Sequence, residues 1–202
     1  MVTAPPRLAL LTIPRRLALL LITVAGFELW RSQLFIVSNL SGRPQALIPI
    51  EAASRDPASI DVILPAVPFG AEQIEGGNGV LIVHYWAPWE RHGASQAAAL
   101  DSLDRLIEPR PRIAMVCFDP FPSLARYVAR ERLRLAVLLD HDHKLRAALP
   151  CPSVPYTYVI DRQSRIAVEQ AGEIDWLSPA TREALRALLA EPERAPARPV
   201  RV

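Results

Sequence analysis

The pattern of apolar and polar residues beyond residue 59 predicts three strands before a C-terminal hairpin, two of them central in a sheet. Val80–Tyr85 is apolar at almost every position, and Arg112–Phe118 contains the continuous run Ile-Ala-Met-Val-Cys-Phe. Runs without alternation are typical of strands that are buried on both faces. Ile60–Leu64 is a third candidate strand, and Leu135–Leu139 is a further short apolar run.

Apolar residues at helical spacing predict helices between and after these strands. The apolar faces consist of Leu100, Leu103 and Ile107 in the first helix, Leu124, Tyr127, Val128 and Leu133 in the second, and Leu185, Leu188 and Leu189 in the last. The first helix is expected to end before Pro109, and a brief helix is expected around Lys144–Leu149. Ser178 is the predicted N-cap of the last helix, with Pro179 at its first position.

Two further apolar runs, Val154–Ile160 and Arg165–Gln170, are joined by the polar turn Asp161–Ser164. Two runs separated by a short polar turn predict a β-hairpin. The resulting order is strand, helix, strand, helix, hairpin, helix. That order predicts an α/β fold with a mixed sheet flanked by helices.

The N-terminal part of the chain predicts one membrane-spanning helix. Leu17–Val37 is apolar at most positions, and as a helix it would be about 31 Å long, close to the thickness of the hydrocarbon core. Arg7, Arg15 and Arg16 precede it without an acidic residue among them. The positive-inside rule then places the N-terminus in the cytoplasm and the rest of the chain across the membrane. We therefore expect a single-pass protein of a bacterial inner membrane with a periplasmic C-terminal domain.

Polar residues within this segment leave its details open. Glu28 and Arg31 lie one helical turn apart, so their charges can neutralise each other. The pair can lie at the outer interface beside Trp30, or it can face another transmembrane helix. The competing interpretation is a cleaved signal peptide with Leu17–Phe27 as its hydrophobic region, but no small-residue cleavage site follows that region. We favour the uncleaved anchor.

Composition suggests one folded domain with appendages. The 202 residues are half hydrophobic, which is enough for a packed core, and a net charge of +2 gives no support for nucleic-acid binding. The twenty prolines concentrate in the termini, in a predicted linker and in loops. The expected parts are a cytoplasmic lead at 1–16, the anchor at 17–37, the linker at 38–59, the folded domain at 60–190 and a Pro/Arg-rich tail at 191–202.

Two cysteines are the candidates for thiol chemistry. Cys117 and Cys151 cannot build a disulfide framework, and their spacing matches no zinc motif. Cys117 belongs to a predicted strand and is expected to be a small buried hydrophobe. Cys151 stands in a loop between two prolines, either as an inert residue or as a lone reactive thiol. A disulfide between them requires their Cα atoms to lie within roughly 7 Å.

The histidines offer one cluster of residue types that can bind metal. It is the run Asp140–His143, with the sequence Asp-His-Asp-His. Metal sites need ligands that converge from more than one segment. Of the other histidines, His84 belongs to a predicted buried strand, and His92 follows the next turn. We interpret the run as a solvated polar turn before the short helix, and we expect neither a metal nor a cofactor.

Two motifs in the chain resemble one protein family. The stretch Val80–Gly93, VLIVHYWAPWERHG, resembles the TlpA/ResA-like branch of the thioredoxin fold, whose signature is a hydrophobic strand, then Trp-Ala-x-Trp-Cys-x-x-Cys, then a helix. Val154–Asp161 resembles the family segment Val-Pro-x-Thr-x-x-Ile-Asp. The resemblance extends from about Val80 to Trp176. It implies a thioredoxin-like fold with a cis peptide bond before Pro155, which is uncommon for an X-Pro bond.

The two cysteine positions of that signature hold Glu90 and Gly93. Thiol–disulfide exchange requires one thiolate to attack and a second thiol to resolve the mixed disulfide. The resemblance therefore implies a degenerate member without catalytic residues, not an enzyme, whose former active-site positions are Glu90, Gly93 and Pro155. A glutamate in the first turn of a helix is in any case favoured by the unsatisfied N–H groups there.

Two classes of function follow from this resemblance. The first is a non-catalytic accessory or structural subunit of an integral membrane complex, with respiratory and photosynthetic assemblies as the natural hosts. The alternative is a thiol- or copper-handling maturation factor for cytochromes or oxidases, which the family would suggest if the cysteine pair were intact. We favour the first class because the pair is replaced.

A partner-binding surface is expected around the turn at Pro88 and the proline loop. In thioredoxin-fold enzymes this surface binds extended polypeptide. Here the residues that would line it are Trp86, Pro88, Trp89, Pro155 and Tyr156. The alternative is that Trp86 packs in the core and only Trp89 is exposed. Glu28 and Arg31 are expected to add a contact inside the membrane.

Overall fold

The computed structural model describes residues 43–90, 92–118 and 121–193. The predicted lead, the predicted anchor at 17–37 with Glu28 and Arg31, and most of the predicted tail lie outside the described residues. Within the described part, none of the helices has both the length and the apolar character needed to cross a membrane.

Seven strands and four helices make up the described part of the chain. The strands are β1 (Asp61–Val67), β2 (Ala71–Glu75), β3 (Leu81–Tyr85), β4 (Arg112–Cys117), β5 (Val137–Leu139), β6 (Tyr156–Ile160) and β7 (Ile166–Ala171). The helices are α1 (Gly93–Leu106), α2 (Phe121–Glu131), α3 (Lys144–Ala148) and α4 (Pro179–Leu189), and a short 3₁₀ turn (Ala52–Ser54) precedes β1.

The strands form one mixed sheet in the order β2-β1-β5-β4-β3-β6-β7. β3 is parallel to β4, with Val83 opposite Ala114, and antiparallel to β6, with Val83 opposite Tyr158. Every residue of β3 and β6 is buried, because each of these strands has a neighbour on both sides and both of its faces are covered. The predicted mixed sheet with β3 and β4 at its centre is confirmed.

The predicted apolar faces of α1 and α4 both lie in the main core. Ser178 is the N-cap of α4 as expected, because its hydroxyl accepts a hydrogen bond from the Thr181 N–H at 3.2 Å. Leu133 was expected on the second helix, but α2 ends at Glu131. The chain leaves the helix at Arg132, whose φ of +52° is the left-handed conformation that commonly ends helices.

The β1–β2 hairpin extends the sheet beyond the strand predicted in this region. β1 continues to Val67, past the expected end at Leu64, and β2 was not predicted. Only one side chain of β2, that of Ile74, is fully buried. A polar strand at the edge of a sheet carries no apolar run, so the hydrophobic pattern does not reveal it.

Residues 45–58, which we call the edge strap, lie along the outer edge of β7. The backbone N–H groups of Gln45 and Ile50 donate to the carbonyl oxygens of Glu173 and Ala167, at 2.9 and 2.7 Å. These bonds satisfy backbone groups at what would otherwise be an open sheet edge.

The edge strap changes the domain boundary that the sequence suggested. Leu47 is buried in the core, and its N–H donates to the hydroxyl of Thr181 at 3.2 Å. The sequence suggested a linker at 38–59 and a domain that starts at Ile60, because prolines and mixed polarity hide an extended segment. In the structure the chain packs against the domain from Gln45 onward.

A buried ion cluster fastens the edge strap to the domain. The Arg55 guanidinium lies 2.9 Å from Asp161 and 2.7 Å from Glu191, and Arg165 contacts the same Asp161 carboxylate at 2.8 Å. Burial disfavours the charged form of Asp161. The backbone N–H of Arg165 and the guanidinium of Arg55 outweigh that effect and hold the pKa of Asp161 below its usual value. One group of charges therefore joins the strap, the β6–β7 turn and the end of α4.

Candidate functional site

The turn between β3 and α1 is the centre of the candidate site. The ladder of β3 continues for one residue, because the Trp86 N–H donates to the Val116 carbonyl at 3.0 Å. The chain then turns twice. The Glu90 N–H donates to the Ala87 carbonyl at 3.2 Å, and the Gly93 N–H donates to the Glu90 carbonyl at 3.0 Å. The turn therefore lies at the carboxyl end of a central strand, as predicted, where α/β proteins form clefts.

The two tryptophans of this turn differ in exposure. Trp86 is only 1% exposed, and its ring packs against that of Tyr127 with 5.2 Å between centroids. Trp89 is 70% exposed, and Pro88 is half-buried. Trp86 therefore belongs to the core, because it directly continues β3, which is buried on both faces, and Trp89 is the aromatic side chain that the turn presents to solvent.

Glu90 stands just before α1 and stabilises its start. Its half-buried carboxylate accepts a hydrogen bond from the His92 backbone N–H at 2.9 Å. The N–H groups at a helix start have no partner within the helix, and a negative charge is favoured there. This contact accounts for a glutamate at position 90 by helix stabilisation alone.

Gly93, the first residue of α1, has no room for a side chain. A β-carbon at this position would collide with the carbonyl oxygen of Ala87 and would also approach the Trp86 ring at 3.6 Å. The carbonyl is backbone, so it cannot rotate aside as a flexible side chain can. Any residue larger than glycine at position 93 requires the turn to move.

His92 and Glu173 join the turn to the segment that follows β7. His92 Nε2 lies 3.5 Å from Glu173 Oε1. Next to Glu173, the Gly172 N–H donates to the carbonyl of Pro155 at 2.9 Å. These contacts bring the turn, the post-β7 segment and the proline loop to the same end of the sheet. Sequence reasoning did not connect His92 with Glu173, because no local spacing links residues so far apart in the chain.

The Val154–Pro155 peptide bond is cis, as the family resemblance implied. Pro155 is buried, and Tyr156 is only 4% exposed. The Tyr156 hydroxyl donates to Glu169 at 2.8 Å, and burial together with this hydrogen bond raises the pKa of Tyr156 above its usual value. Tyr156 therefore offers almost no surface to a partner, in contrast to its expected place on the docking surface.

The two cysteines are both buried and both free thiols. The Cys151 thiol donates a hydrogen bond to the Ser153 carbonyl at 3.1 Å. Burial raises the pKa of Cys151 to about 11. At neutral pH this thiol is protonated and is therefore a weak nucleophile. Cys117 lies on β4 inside the core, as expected.

The run Asp140–His143 is a polar turn that opens α3, as predicted. His141 and His143 are exposed, whereas the Asp140 carboxylate is buried. That carboxylate accepts hydrogen bonds from the backbone N–H groups of Leu145 at 3.2 Å and Arg146 at 2.9 Å. Within residues 43–90, 92–118 and 121–193, no group of three or more His, Cys, Asp or Glu side chains is placed to hold a metal.

His84 is a polar group inside the core beneath the turn. Its Nδ1 lies 3.0 Å from the Thr157 hydroxyl, and its ring meets the edge of Trp176 with 5.5 Å between centroids. Its Nε2 has no hydrogen-bond partner among the described residues. Burial lowers the pKa of His84 to about 3, so the ring is neutral at physiological pH.

No protein-family model matches the chain, and no curated protein matches it. Several solved structures do match. A secreted thiol-disulfide isomerase from Corynebacterium glutamicum aligns with a TM-score of 0.56 at 20% identity, over 75% of this chain and 93% of that one. MTB DsbF, in its mixed oxidized and reduced forms, aligns with a TM-score of 0.57 at 18% identity, over 65% and 98%. StoA from Bacillus subtilis aligns with a TM-score of 0.53 at 13% identity, over 60% and 100%.

These similarities show that the fold is thioredoxin-like, as the sequence predicted. One of the three, the protein from Corynebacterium glutamicum, is named as a thiol-disulfide isomerase. At identities of 20% or less, the similarity concerns the fold and not the activity.

Proposed function

We propose that this chain is a thioredoxin-like domain that binds a partner protein without thiol–disulfide chemistry. It would be held at a membrane by the anchor predicted at 17–37 and would serve as an accessory subunit of a membrane complex of the respiratory or photosynthetic kind. The observation that carries the proposal is the packing of Gly93 against the carbonyl oxygen of Ala87.

The packing at Gly93 supports the loss of dithiol chemistry by geometry as well as by residue type. By the family resemblance, positions 90 and 93 are those of the attacking and resolving cysteines. A thiol at position 93 would need a β-carbon where the Ala87 carbonyl stands. The carboxylate of Glu90 already accepts the His92 N–H at the start of the helix, where a thiolate would be stabilised. Position 93 therefore has no room for a cysteine side chain, and the carboxylate at position 90 takes the place that a thiolate would have at the start of the helix.

The alternative of a thiol- or copper-handling maturation factor would depend on Cys151. That thiol is 3% exposed, is hydrogen-bonded to the Ser153 carbonyl and has a pKa of about 11. A reactive cysteine needs access and a lowered pKa, and Cys151 has the opposite on both counts. A binding role therefore fits the described residues better.

Trp89 supports the binding role. A tryptophan that is 70% exposed, on a turn tied to the core by backbone hydrogen bonds, is preorganised to insert into a partner. Tryptophan is the residue type most enriched among those that dominate binding energy at interfaces. The docking surface that we propose therefore centres on Trp89 and Pro88, and it is smaller than the five-residue surface expected from the sequence.

The proposal is tested by purifying the full chain in mild detergent through a C-terminal tag and identifying the proteins that co-purify. Trp89→Ala is expected to reduce the amount of retained partner by about tenfold or more, because loss of an anchoring tryptophan costs at least about 2 kcal/mol. Phe69→Ala is the matched control, since Phe69 is an 85% exposed aromatic residue on the β1–β2 turn. Equal retention by the Trp89→Ala and wild-type proteins would contradict the docking surface.

The absence of dithiol chemistry is tested separately with an insulin-reduction assay on the same purified chain. We expect no turnover above the rate without protein. A rate that Cys151→Ser abolishes would contradict the proposal and would favour the maturation-factor alternative.

A further inference from the structure

A cluster of arginines covers the outer face of α2 and the segment that follows it. Residues 126–134 contain four arginines and one glutamate, although the whole chain has a net charge of only +2. All four arginines are exposed, because Leu124, Tyr127 and Val128 form the buried face of the helix. We call them the arginine cluster, which consists of Arg126, Arg130, Arg132 and Arg134.

The domain itself neutralises little of this charge. Arg130 lies 2.7 Å from the carboxylate of Glu131. The guanidinium groups of the other three arginines form no ion pair with a carboxylate of the described residues. On α1, by contrast, Arg105 pairs with Asp101 at 3.4 Å. The arginine cluster therefore keeps an excess of positive charge that is available to an external ligand.

Contacts with the domain hold the arginine cluster in place. The Arg130 guanidinium lies over the ring of Tyr127, 5.3 Å from its centroid, and the Arg134 backbone N–H donates to the Asp101 carboxylate at 3.1 Å. The Cα atoms of Arg126 and Arg134 lie at most about 20 Å apart, because five helical steps and three further residues separate them. The four charges therefore form one compact patch.

An exposed apolar turn lies next to the arginine cluster. Phe69, in the turn between β1 and β2, is 85% exposed, the highest value among the large apolar side chains of the described residues. α2 packs against β1, and a cavity of about 280 Å³ is lined by residues of both regions. They include Pro68 and Phe69 from the turn, Leu133 and Arg134 from the segment after α2, and the acidic residue Glu72. An aromatic side chain and guanidinium groups therefore share one surface.

We propose that the arginine cluster and Phe69 bind the surface of a membrane that contains anionic lipids. A guanidinium group forms two hydrogen bonds with a phosphate and stays charged at every physiological pH. Each basic residue near an anionic surface adds to the attraction, and an apolar side chain beside cations inserts at the boundary between headgroups and acyl chains. The four arginines outnumber the carboxylates of Glu72 and Glu131, so the patch attracts anions.

The membrane location proposed above favours lipid over other anionic partners. A domain that is tethered at a bilayer meets headgroup phosphates at a high effective concentration. The exposed ring of Phe69 also has a place at such a surface. An acidic protein is the competing occupant, and the test below distinguishes it. The inference rests on the proposed function for this location, but it involves neither Trp89 nor a partner complex.

The test places a polarity-sensitive fluorophore at the β1–β2 turn of the full chain. Phe69→Cys is labelled with nitrobenzoxadiazole, and both native thiols are buried. The labelled chain is reconstituted into nanodiscs of phosphatidylcholine alone or of phosphatidylcholine and phosphatidylglycerol in equal amounts. We expect emission to be at least about twofold stronger in the anionic nanodiscs, because the label leaves water for the headgroup boundary. Salt at about 1 M should remove the increase, because it screens charges beyond about 3 Å.

Two controls separate the arginine cluster from general proximity to the membrane. Ile48→Cys carries the same label on the edge strap, where Ile48 is 66% exposed, and its emission should not depend on lipid charge. Replacing the whole arginine cluster with glutamine should remove most of the increase at position 69. The same loss of charge at four exposed cations elsewhere should leave the increase unchanged. These four are Arg43, Arg110, Lys144 and Arg186.

Three lipid results would overturn the proposal. They are equal emission at position 69 in the two kinds of nanodisc, an equal lipid response at positions 48 and 69, and an increase that survives replacement of the arginine cluster. Loss of a co-purifying protein on that replacement, without any lipid response, would make an acidic protein the occupant.

Failure of this inference is distinguishable from failure of the proposed function. The lipid response is read without a partner complex, and Trp89→Ala should leave it unchanged. Retention of a partner protein in detergent, in turn, does not depend on anionic lipid. Loss of the lipid response in the Trp89→Ala variant would show that the contact with lipid lies at the docking surface and would overturn the assignment to the arginine cluster.

Discussion

No β-carbon fits between Gly93 and the carbonyl oxygen of Ala87, although Gly93 is the first residue of a regular α-helix. Helices generally disfavour glycine, and alanine in its place usually stabilises them. The glycine is therefore required by the close approach of the turn and not by the conformation of its own backbone. This close approach makes the stability of the turn measurable through a single substitution.

Gly93→Ala is expected to destabilise the domain by about 1 to 3 kcal/mol, the range typical of overpacking at a buried site. Helix propensity alone predicts the opposite sign, a gain of up to about 1 kcal/mol. The midpoint of urea unfolding distinguishes the two. Ala94→Gly, at the adjacent exposed position, measures the propensity contribution of this helix turn and serves as the control.

The stability of the domain should fall with acidification through His84. The folded-state pKa of His84 is about 3, below the value of about 6.5 in an unfolded chain. Below pH 6.5 His84 is therefore protonated in the unfolded chain but stays neutral in the folded protein. The free energy of unfolding should then decrease by up to about 1.4 kcal/mol per pH unit until the pH approaches 3.

Urea unfolding between pH 7 and pH 4.5 checks this dependence in the wild type and in His84→Gln. Glutamine can still contact the Thr157 hydroxyl but does not titrate. The free energy of unfolding of the variant should fall less steeply over this range, because the variant takes up about one proton fewer on unfolding than the wild type does. Parallel curves for the two proteins would show that His84 is not the group responsible.

The ion cluster of the edge strap should contribute more to stability than the surface ion pairs do. Arg55→Met removes the cation between Asp161 and Glu191. We expect a loss of about 2 to 4 kcal/mol, because Asp161 is buried and keeps Arg165 as its remaining cationic partner. Arg110→Met is the control, since Arg110 is largely exposed and pairs with an exposed glutamate. Its cost should stay below about 1 kcal/mol. Equal losses for the two variants would refute a special role of the cluster.

Membrane topology is predicted from the arginines before residue 17. A periplasmic reporter fused after Val202 should be active, and a cytoplasmic reporter at the same position should be silent. Neutralising Arg7, Arg15 and Arg16 together should weaken that bias, whereas the same number of substitutions at surface arginines of the domain should not. The reverse reporter pattern in the wild type would place the domain in the cytoplasm.

The sequence predicts the central strands well, because strands that are buried on both faces appear in it as continuous apolar runs. The apolar run Val80–Tyr85 corresponds to β3, in which every residue is buried. The hydrophobic pattern does not predict the edge strap, because single residues such as Leu47 contact the core without forming an apolar run. Its backbone hydrogen bonds are made to β7, which is distant in the sequence. β2 is hidden for a related reason, since only Ile74 faces inward.

The candidate site is less predictable than the fold, because counting aromatic residues does not say where they point. For one of them the strand does contain that information. Ile82, His84 and Trp86 follow one another at a period of two, so Trp86 lies on the same face of the sheet as Ile82. Both faces of β3 are buried, so a residue that directly continues this strand is expected in the core. Tyr156 begins a strand and has no preceding pattern, so its burial depends on tertiary contacts that the sequence does not display.

The edge strap also decides where the chain can be shortened. A fragment that starts at Ile60 would leave the outer edge of β7 bare, remove Leu47 from the core and separate Asp161 from Arg55. Bare edges recruit strands from other copies and grow into aggregates. The shortest fragment expected to remain monomeric therefore begins no later than Gln45. By covering the outer edge of β7, the edge strap is expected to prevent fibril formation.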